Sequence, residues 1–198
     1  TGDLRQTESP VYIGLDGWFT DNHYRGKIDE VKVYDGALTP DQIREEIDRA
    51  YLVGDWRFEE GSGTTATDSS EYLNHGQLVN GVSYKTGRQG SGLEFDGIDD
   101  YISVPDDGTL RPGELTAMAW IKPNRLPING TYGPIVKRSP GWLSDANWQL
   151  QVVVSGRINF AYHNDGWNQS PLTTNLIDVG TWNHLAVTFK DREIRLYI

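Results

Sequence analysis

The chain contains no cysteine. Disulfide staples, thiolate metal centres and cysteine nucleophiles are therefore excluded. It also lacks any apolar run long enough to cross a bilayer as a helix, so membrane insertion is not expected. Basic residues are in deficit: 18 Lys and Arg stand against 28 Asp and Glu, a formal net charge of −10. That balance argues against nucleic acid and anionic membrane surfaces, because phosphate binding wants a basic face. No G-x-S-x-G elbow and no phosphate-cradling glycine loop occurs. His23, His75, His163 and His184 are not spaced as metal ligands. The acidic residues are dispersed, which suits a solvated surface.

What the chain does have is aromatics and turns. Aromatic residues make up 11% of it, and 22 glycines and 9 prolines punctuate 198 residues. Short strands between turns account for that mixture better than long helices. In Lys27–Tyr34, Ile28, Val31 and Val33 are the apolar positions, with a break of phase near Asp29 and Glu30 that reads as a bulge. Trp56 and Phe58 share one face of a strand over 54–59. Leu93, Phe95, Ile102 and Val104 flank the turn Asp96-Gly97. In Leu115–Lys122, Thr116, Met118, Trp120 and Lys122 alternate with Ala117, Ala119 and Ile121. Residues 147–154 and 157–162 form a predicted hairpin around Ser155-Gly156. Residues 182–190 and 192–198 form another around Asp191. One helix stands out near 40–50: Thr39 is an N-cap, Pro40 takes the first helical position and Gln42 completes a capping box. Ile43 and Ile47 give it one narrow apolar stripe. The pattern predicts an all-β, two-sheet antiparallel β-sandwich with a single short surface helix.

Several segments together resemble the laminin-G-like, concanavalin-A-like jelly-roll domains of secreted bacterial and archaeal proteins. They are LVGDWRFEEGSGTTATDSS, GSGLEFDGIDDYISVP, LTAMAWIKP, GTWNHLAVTFKDREIRLYI and YRGKIDEVKVYDGALT. The likeness spans essentially the whole chain, as one domain over 1–198, but in an unusual order. Residues 1–50 resemble the family's C-terminal part and residues 51–198 its N-terminal part. Two explanations stay open: a permuted domain, or a slice across the joint of two tandem copies. The resemblance implies a secreted or cell-surface protein. It implies non-enzymatic binding or adhesion, with a glycan or a cell-surface protein as partner. Self-assembly through exchanged strands, as in a tandem array or fibre, is the alternative. A jelly-roll glycoside hydrolase is a third and minor reading.

The resemblance also implies a structural calcium. The loop TDSSEYLNHG is similar to the family's DSSGNxNxG loop, in which Asp68 and Asn74 would supply oxygens. Asp29 or Glu30 from the closing strand would complete the set, since calcium takes six to eight oxygen ligands. Glu71 and Leu73 depart from the family pattern. The plainer reading is a loop held by Asx-turns alone. For the ligand, the aromatic and amide residues of 137–168 stand out. Trp142, Tyr162, Asn164, Trp167 and Asn168, with Trp18 from an earlier loop, are the candidate contacts, since aromatic walls with a few convergent polar groups make ligand sites. Trp120 and Trp148 are expected in the core instead. Glu94, Asp96 and Asp99 distantly resemble the E-x-D-x-x-E strand of jelly-roll hydrolases. The Asp-Gly turn breaks their common face, so catalysis is not expected there. Asn129-Gly130-Thr131 is a formal glycosylation acceptor, and chance is the simpler account of it.

Overall fold

The computed structural model describes residues 10–15, 23–45, 52–128, 132–138, 148–163 and 167–198. Among them lie fifteen strands and one helix. The first elements are β1 (Val11–Ile13), β2 (Arg25–Asp35), α1 (Pro40–Glu45), β3 (Leu52–Trp56), β4 (Thr65–Ala66) and β5 (Gly76–Val79). Then come β6 (Ser83–Thr86), β7 (Ser91–Asp96), β8 (Tyr101–Val104), β9 (Leu115–Pro123) and β10 (Gly133–Arg138). The last are β11 (Trp148–Val152), β12 (Ile158–His163), β13 (Trp167–Gln169), β14 (Asn183–Lys190) and β15 (Glu193–Tyr197).

The strands form two antiparallel sheets. The eight-stranded sheet runs β13-β12-β11-β10-β1-β8-β5-β4, and the seven-stranded sheet runs β15-β14-β9-β2-β7-β6, with β3 also pairing β2. This is the expected sandwich with one short helix. The central strand is β2. On one side it pairs with β9 from Gly26 to Asp35. On the other it pairs first with β7 and then with β3, where Val31 lies opposite Trp56 and Tyr34 opposite Leu52. Residues 11–13 are likewise inserted between β8 and β10 of the other sheet. Both early strands are thus interior to sheets built mostly from later residues.

Period-2 alternation sends one side of each strand into a shared core. Ile28, Val31 and Val33 of β2 pack there with Leu93, Phe95, Ala117, Ala119, Ile121, Leu150, Phe160, Leu185 and Phe189. Trp56 and Phe58 are wholly buried among them. Side chains of that size contribute roughly 1.5–3 kcal/mol each when removed from water. Trp148, 1% exposed, is also core. The phase break in β2 is a bulge: the β2–β9 register shifts between Asp29 and Lys32, and Glu30 adopts φ +52°. The hairpin turns fall where the sequence puts them, with Gly156 at φ +74° and Asp191 and Arg192 at φ +50° and +67°.

The helix starts as its capping box dictates. The Thr39 N–H donates to Gln42 Oε1 at 2.9 Å, and the Gln42 N–H donates to Thr39 Oγ1 at 3.3 Å. Ile43 leads a second, smaller apolar cluster with Tyr34, Leu38, Leu52, Met118 and Ala186, on the outer side of the seven-stranded sheet. Residues 46–50, where the expected helix would continue, lie outside the described residues.

Candidate functional site

The outer face of the eight-stranded sheet is polar and yet buried. In β11, Trp148, Leu150 and Val152 point into the core. Gln149 and Gln151 must therefore point outward. Cross-strand register places Tyr12, Lys137, Gln149, Ala161 and Gln169 in one row. In the next row Gln151 lies opposite Asn159. Lys137, Gln149, Gln151 and Asn159 are each at least nine-tenths buried. The Gln149 amide donates to Gln151 Oε1 at 2.9 Å, and the Asn159 amide donates to Gln169 Oε1 at 3.3 Å. Two acceptors are left over: Gln149 Oε1 and Asn159 Oδ1 are buried without a hydrogen-bond partner. An unpaired buried acceptor costs about 1–3 kcal/mol, and two of them, Gln149 Oε1 and Asn159 Oδ1, fall on this face.

Asn159 and Gln169 line an open cleft of about 430 Å³, whose other walls include Tyr132, Val154, Ser170 and Leu172. Ser170 is fixed there by accepting the Phe160 N–H on Oγ at 3.0 Å. The described lining offers apolar surface, hydroxyls and amides, and no carboxylate.

The expected ligand contacts fare unevenly. Trp18, Trp142 and Asn164 lie outside the described residues. Trp167 opens β13 opposite His163, and its side chain is outside what is described. Tyr162 is a correction. It is only 7% exposed, and its ring packs on Phe160 and Phe189 with centroids 6.3 and 4.8 Å away. Alternation in β12 puts it on the same side as Phe160. Asn168 pairs directly with Tyr162, so it too belongs to the inward side of β13, and Gln169 takes the outward one. Trp120, expected in the core, is half-buried on the outer side of the seven-stranded sheet. Gln149, Gln151, Asn159 and Gln169 were not foreseen. The signal was present in WQLQV, where the two glutamines alternate with three core residues.

The four residues expected to hold calcium are each engaged with protein groups. Asp68 is 1% exposed, and both its oxygens are taken. Oδ1 accepts the Asp55 and Ser70 N–H groups at 2.7 and 2.9 Å. Oδ2 accepts the Ser70 hydroxyl at 2.6 Å and the Asn74 N–H at 2.8 Å. The Asn74 amide group donates to the Val53 carbonyl and to Thr109 Oγ1. The Thr109 hydroxyl in turn donates to Asp107 Oδ1 at 2.6 Å and lies 3.2 Å from Asn74 Oδ1. A cation would have to displace these donors. Nor do Asp29 and Glu30 converge on the loop. Asp29 accepts the Glu30 and Arg88 N–H groups at 2.9 and 2.6 Å, and Glu30 stands 3.9 Å from Lys32. Among the described residues the one trio of His, Asp or Glu with ligand atoms within 4.8 Å of one another is Asp96, Asp99 and Asp100. Two of its members hold backbone N–H groups of the β5–β6 and β7–β8 turns. Asp100 accepts the Gly81 and Asp96 N–H groups, and Asp96 accepts the Ile98 N–H. So Asp68 and Asn74 share one hydrogen-bond network, Asp29 and Glu30 belong to another, and the four are not grouped among the described trios. The Asx-turn reading of the loop describes it better.

No helix among the described residues is long and apolar enough to cross a membrane. No match was found among curated proteins or among solved structures. A family model described as the concanavalin A-like lectin/glucanases superfamily, of the laminin-G type, matches residues 1–44 and 96–198. With two antiparallel sheets, a core between them and a family match over most of its length, the chain belongs to the concanavalin A-like lectin/glucanase superfamily.

Proposed function

We propose that this chain is a secreted, non-enzymatic glycan-binding module whose sugar lies against the outward amides of the eight-stranded sheet. The observation that carries this reading is the open cleft beside the polar face, where the amides of Asn159 and Gln169 stand with the hydroxyls of Ser155 and Ser170. A carbonyl oxygen needs a donor, and sugar hydroxyls are donors. The adjoining cleft, with Tyr132, Leu172 and Val154 as apolar wall, suits the mixed surface of a pyranose. Binding rather than hydrolysis is favoured because glycoside cleavage uses two carboxyl groups flanking the bond. The described walls of the cleft hold none. This reading requires no calcium.

A neutral-glycan array followed by calorimetry tests it. Binding is expected to be lost in Asn159→Leu and Gln149→Met with the melting temperature retained. Reducing ends should not accumulate on prolonged incubation with any ligand found. Binding that survives both substitutions would remove the amide face from consideration, and sugar release would restore the hydrolase.

A further inference from the structure

The opposite face of the sandwich carries its own departures from regular geometry, and they meet at one place. The β2 bulge leaves Glu30 at φ +52° and Asp29 wholly buried. A buried carboxylate is expensive unless it is hydrogen-bonded. Asp29 is: besides the Glu30 N–H it gathers the N–H groups of Arg88 and Gln89 from the β6–β7 turn. That turn is fitted to it. A Cβ on Gly87 would collide with Asp29 Oδ2 and the Ser91 carbonyl, and one on Gly92 would come within 2.9 Å of Gly87 Cα. The effect of the clamp is to fix Arg88. Its backbone is tied down, but its side chain is exposed. The guanidinium lies 4.7 Å from the ring centre of Trp120. Trp120 sits opposite Asp29 on β9 and opposite His184 on β14, with the indole and imidazole centroids 4.9 Å apart.

The neighbourhood mixes charges: Arg88, Lys27 and Lys122 stand among Asp29, Glu59 and Glu94, and Lys27 already donates to the Thr86 carbonyl at 2.9 Å. One step along β9, Lys122 shares the outward face and lies opposite Lys27. Glu94, opposite Lys27 on β7, is the nearest outward carboxylate in that row. With its Cζ over the Trp120 ring, the exposed guanidinium keeps N–H donors of the kind that pair with a carboxylate. Asp29 and Glu30 belong to YRGKIDEVKVYDGALT and Gly92 to GSGLEFDGIDDYISVP, so the clamp is part of the fold itself, and what it adds here is a fixed backbone position for Arg88.

We propose that Arg88, held over Trp120 and flanked by His184 and Lys122, is a second ligand site, for a carboxylate-bearing sugar. The site is independent of the amide cleft and lies on the other side of the molecule. A uronate fits better than a densely sulfated chain, because a net charge of −10 repels polyanions while Arg88, with Lys122 on the same outward face, can meet one carboxylate at a time.

The test uses the whole chain and oligogalacturonate as the probe, with the neutral galactose oligomer as control, followed by calorimetry and by NMR of the indole N–H signals. The probe is expected to shift the Trp120 signal, and the neutral oligomer is not. Arg88→Gln should weaken the uronate about ten- to a hundredfold, in line with the loss of a charge-assisted pair. Arg88→Lys should recover only part of it, and Asn159→Leu should leave it unchanged. Because the Arg88 side chain is exposed, its variants should keep the parent melting curve. The proposal is overturned if the uronate fails to bind, if it binds Arg88→Gln as tightly as the parent, or if Asn159→Leu rather than Arg88→Gln abolishes it. Loss of the amide cleft's neutral ligand in Asn159→Leu, with uronate binding intact, would separate the two faces cleanly.

Discussion

On β11 and β12 of the eight-stranded sheet the outward positions include three buried amides, Gln149, Gln151 and Asn159, two of them with an unpaired oxygen. On the seven-stranded sheet they divide into two zones. One is apolar and covered by α1, with Met118, Tyr34 and Leu52. The other is charged and built around Trp120, Arg88 and Asp29. The inward faces of the same strands do not differ in this way, since both are plain hydrophobic core. Inward residues answer to one requirement, close packing, while outward residues answer to whatever lies against each face. Function in a sandwich is therefore to be sought in the outward half of the alternation, where polar burial, unpaired atoms and strained backbone have no role in filling the core.

The comparison presupposes that both faces rest on one core, and the most severe way to break it is to remove β2. Residues 52–198 alone would lack the strand that joins β9 to β7 and β3, exposing two unpaired edges and the pockets left by Ile28, Val31 and Val33. This fragment is expected to lack a cooperative melt, as seen by circular dichroism, and to aggregate. A soluble, cooperatively melting fragment would show that the outer faces do not depend on the central strand.

A milder test separates inward from outward tryptophans. Trp56→Ala, at a wholly buried site, should cost about 3–5 kcal/mol in denaturant unfolding. Trp120→Ala, on the half-buried outer side, should cost roughly 1–2 kcal/mol by losing part of its burial and the Arg88 contact. Equal losses would mean that Trp120 belongs to the packing after all.

Two buried carboxylates sharpen the contrast further. Asp68 collects four donors and closes its loop with protein groups alone. Asp68→Ala should cost about 2–4 kcal/mol, since several buried N–H groups lose their acceptor. The parent's melting temperature should be indifferent to calcium and to chelator. A rise of several degrees with calcium, lost in Asp68→Ala, would reinstate the metal.

Asp29 differs in consequence. Burial outweighs its hydrogen bonds and raises its carboxyl to about 6 from an ordinary value of 3.8. The folded state therefore holds this proton more tightly than the unfolded state. Its contribution to stability is complete below about pH 4 and is lost as pH rises through 6, by about 1–3 kcal/mol. Chemical denaturation between pH 4 and 7 should show this downward slope relative to Asp29→Asn, which cannot titrate. Asp29→Asn should also loosen the 87–90 turn, because an amide nitrogen cannot accept the N–H that one oxygen now takes. If the parent and Asp29→Asn have the same slope, the carboxylate ionises without penalty and the clamp on Arg88 is weaker than its geometry implies.

Much of this architecture was legible in residue order. The alternations of β2, β7, β9, β11 and β14, the capping box at Thr39 and the turn at Ser155-Gly156 are local rules, and tertiary packing did not override them. The bulge at Asp29 and Glu30 showed as a slip of phase. What sequence could not place was which outward residues meet. Gln149, Asn159 and Gln169 come from three strands, and only the register joins them. Tyr162 was misread because aromatic character drew it toward a ligand, when its parity with Phe160 already assigned it to the core. Asp68 and Asp29 are expected as partners because TDSSEYLNHG is similar to the family's DSSGNxNxG loop and the closing strand lies beside that loop in the family's arrangement. Each instead binds the backbone amides of its own neighbourhood, a use that leaves no distinctive spacing.

The smallest expected effect is the most discriminating. Asn159 Oδ1 is buried and unpaired, while its amide nitrogen donates to Gln169, an exposed residue that water can serve instead. Asn159→Leu removes the unpaired acceptor and keeps the volume. A polar group retained for folding would be missed, and the loss would reach about 1–3 kcal/mol. A polar group retained for a ligand would not be missed, and stability should hold or rise by up to about 1 kcal/mol while neutral-glycan binding disappears. Denaturant unfolding and calorimetry on the same preparation decide between them. Stability lost together with binding would make Asn159 a structural residue served by a bound water. Stability kept or gained with binding lost would mean that the outer face of the eight-stranded sheet sacrifices stability for recognition.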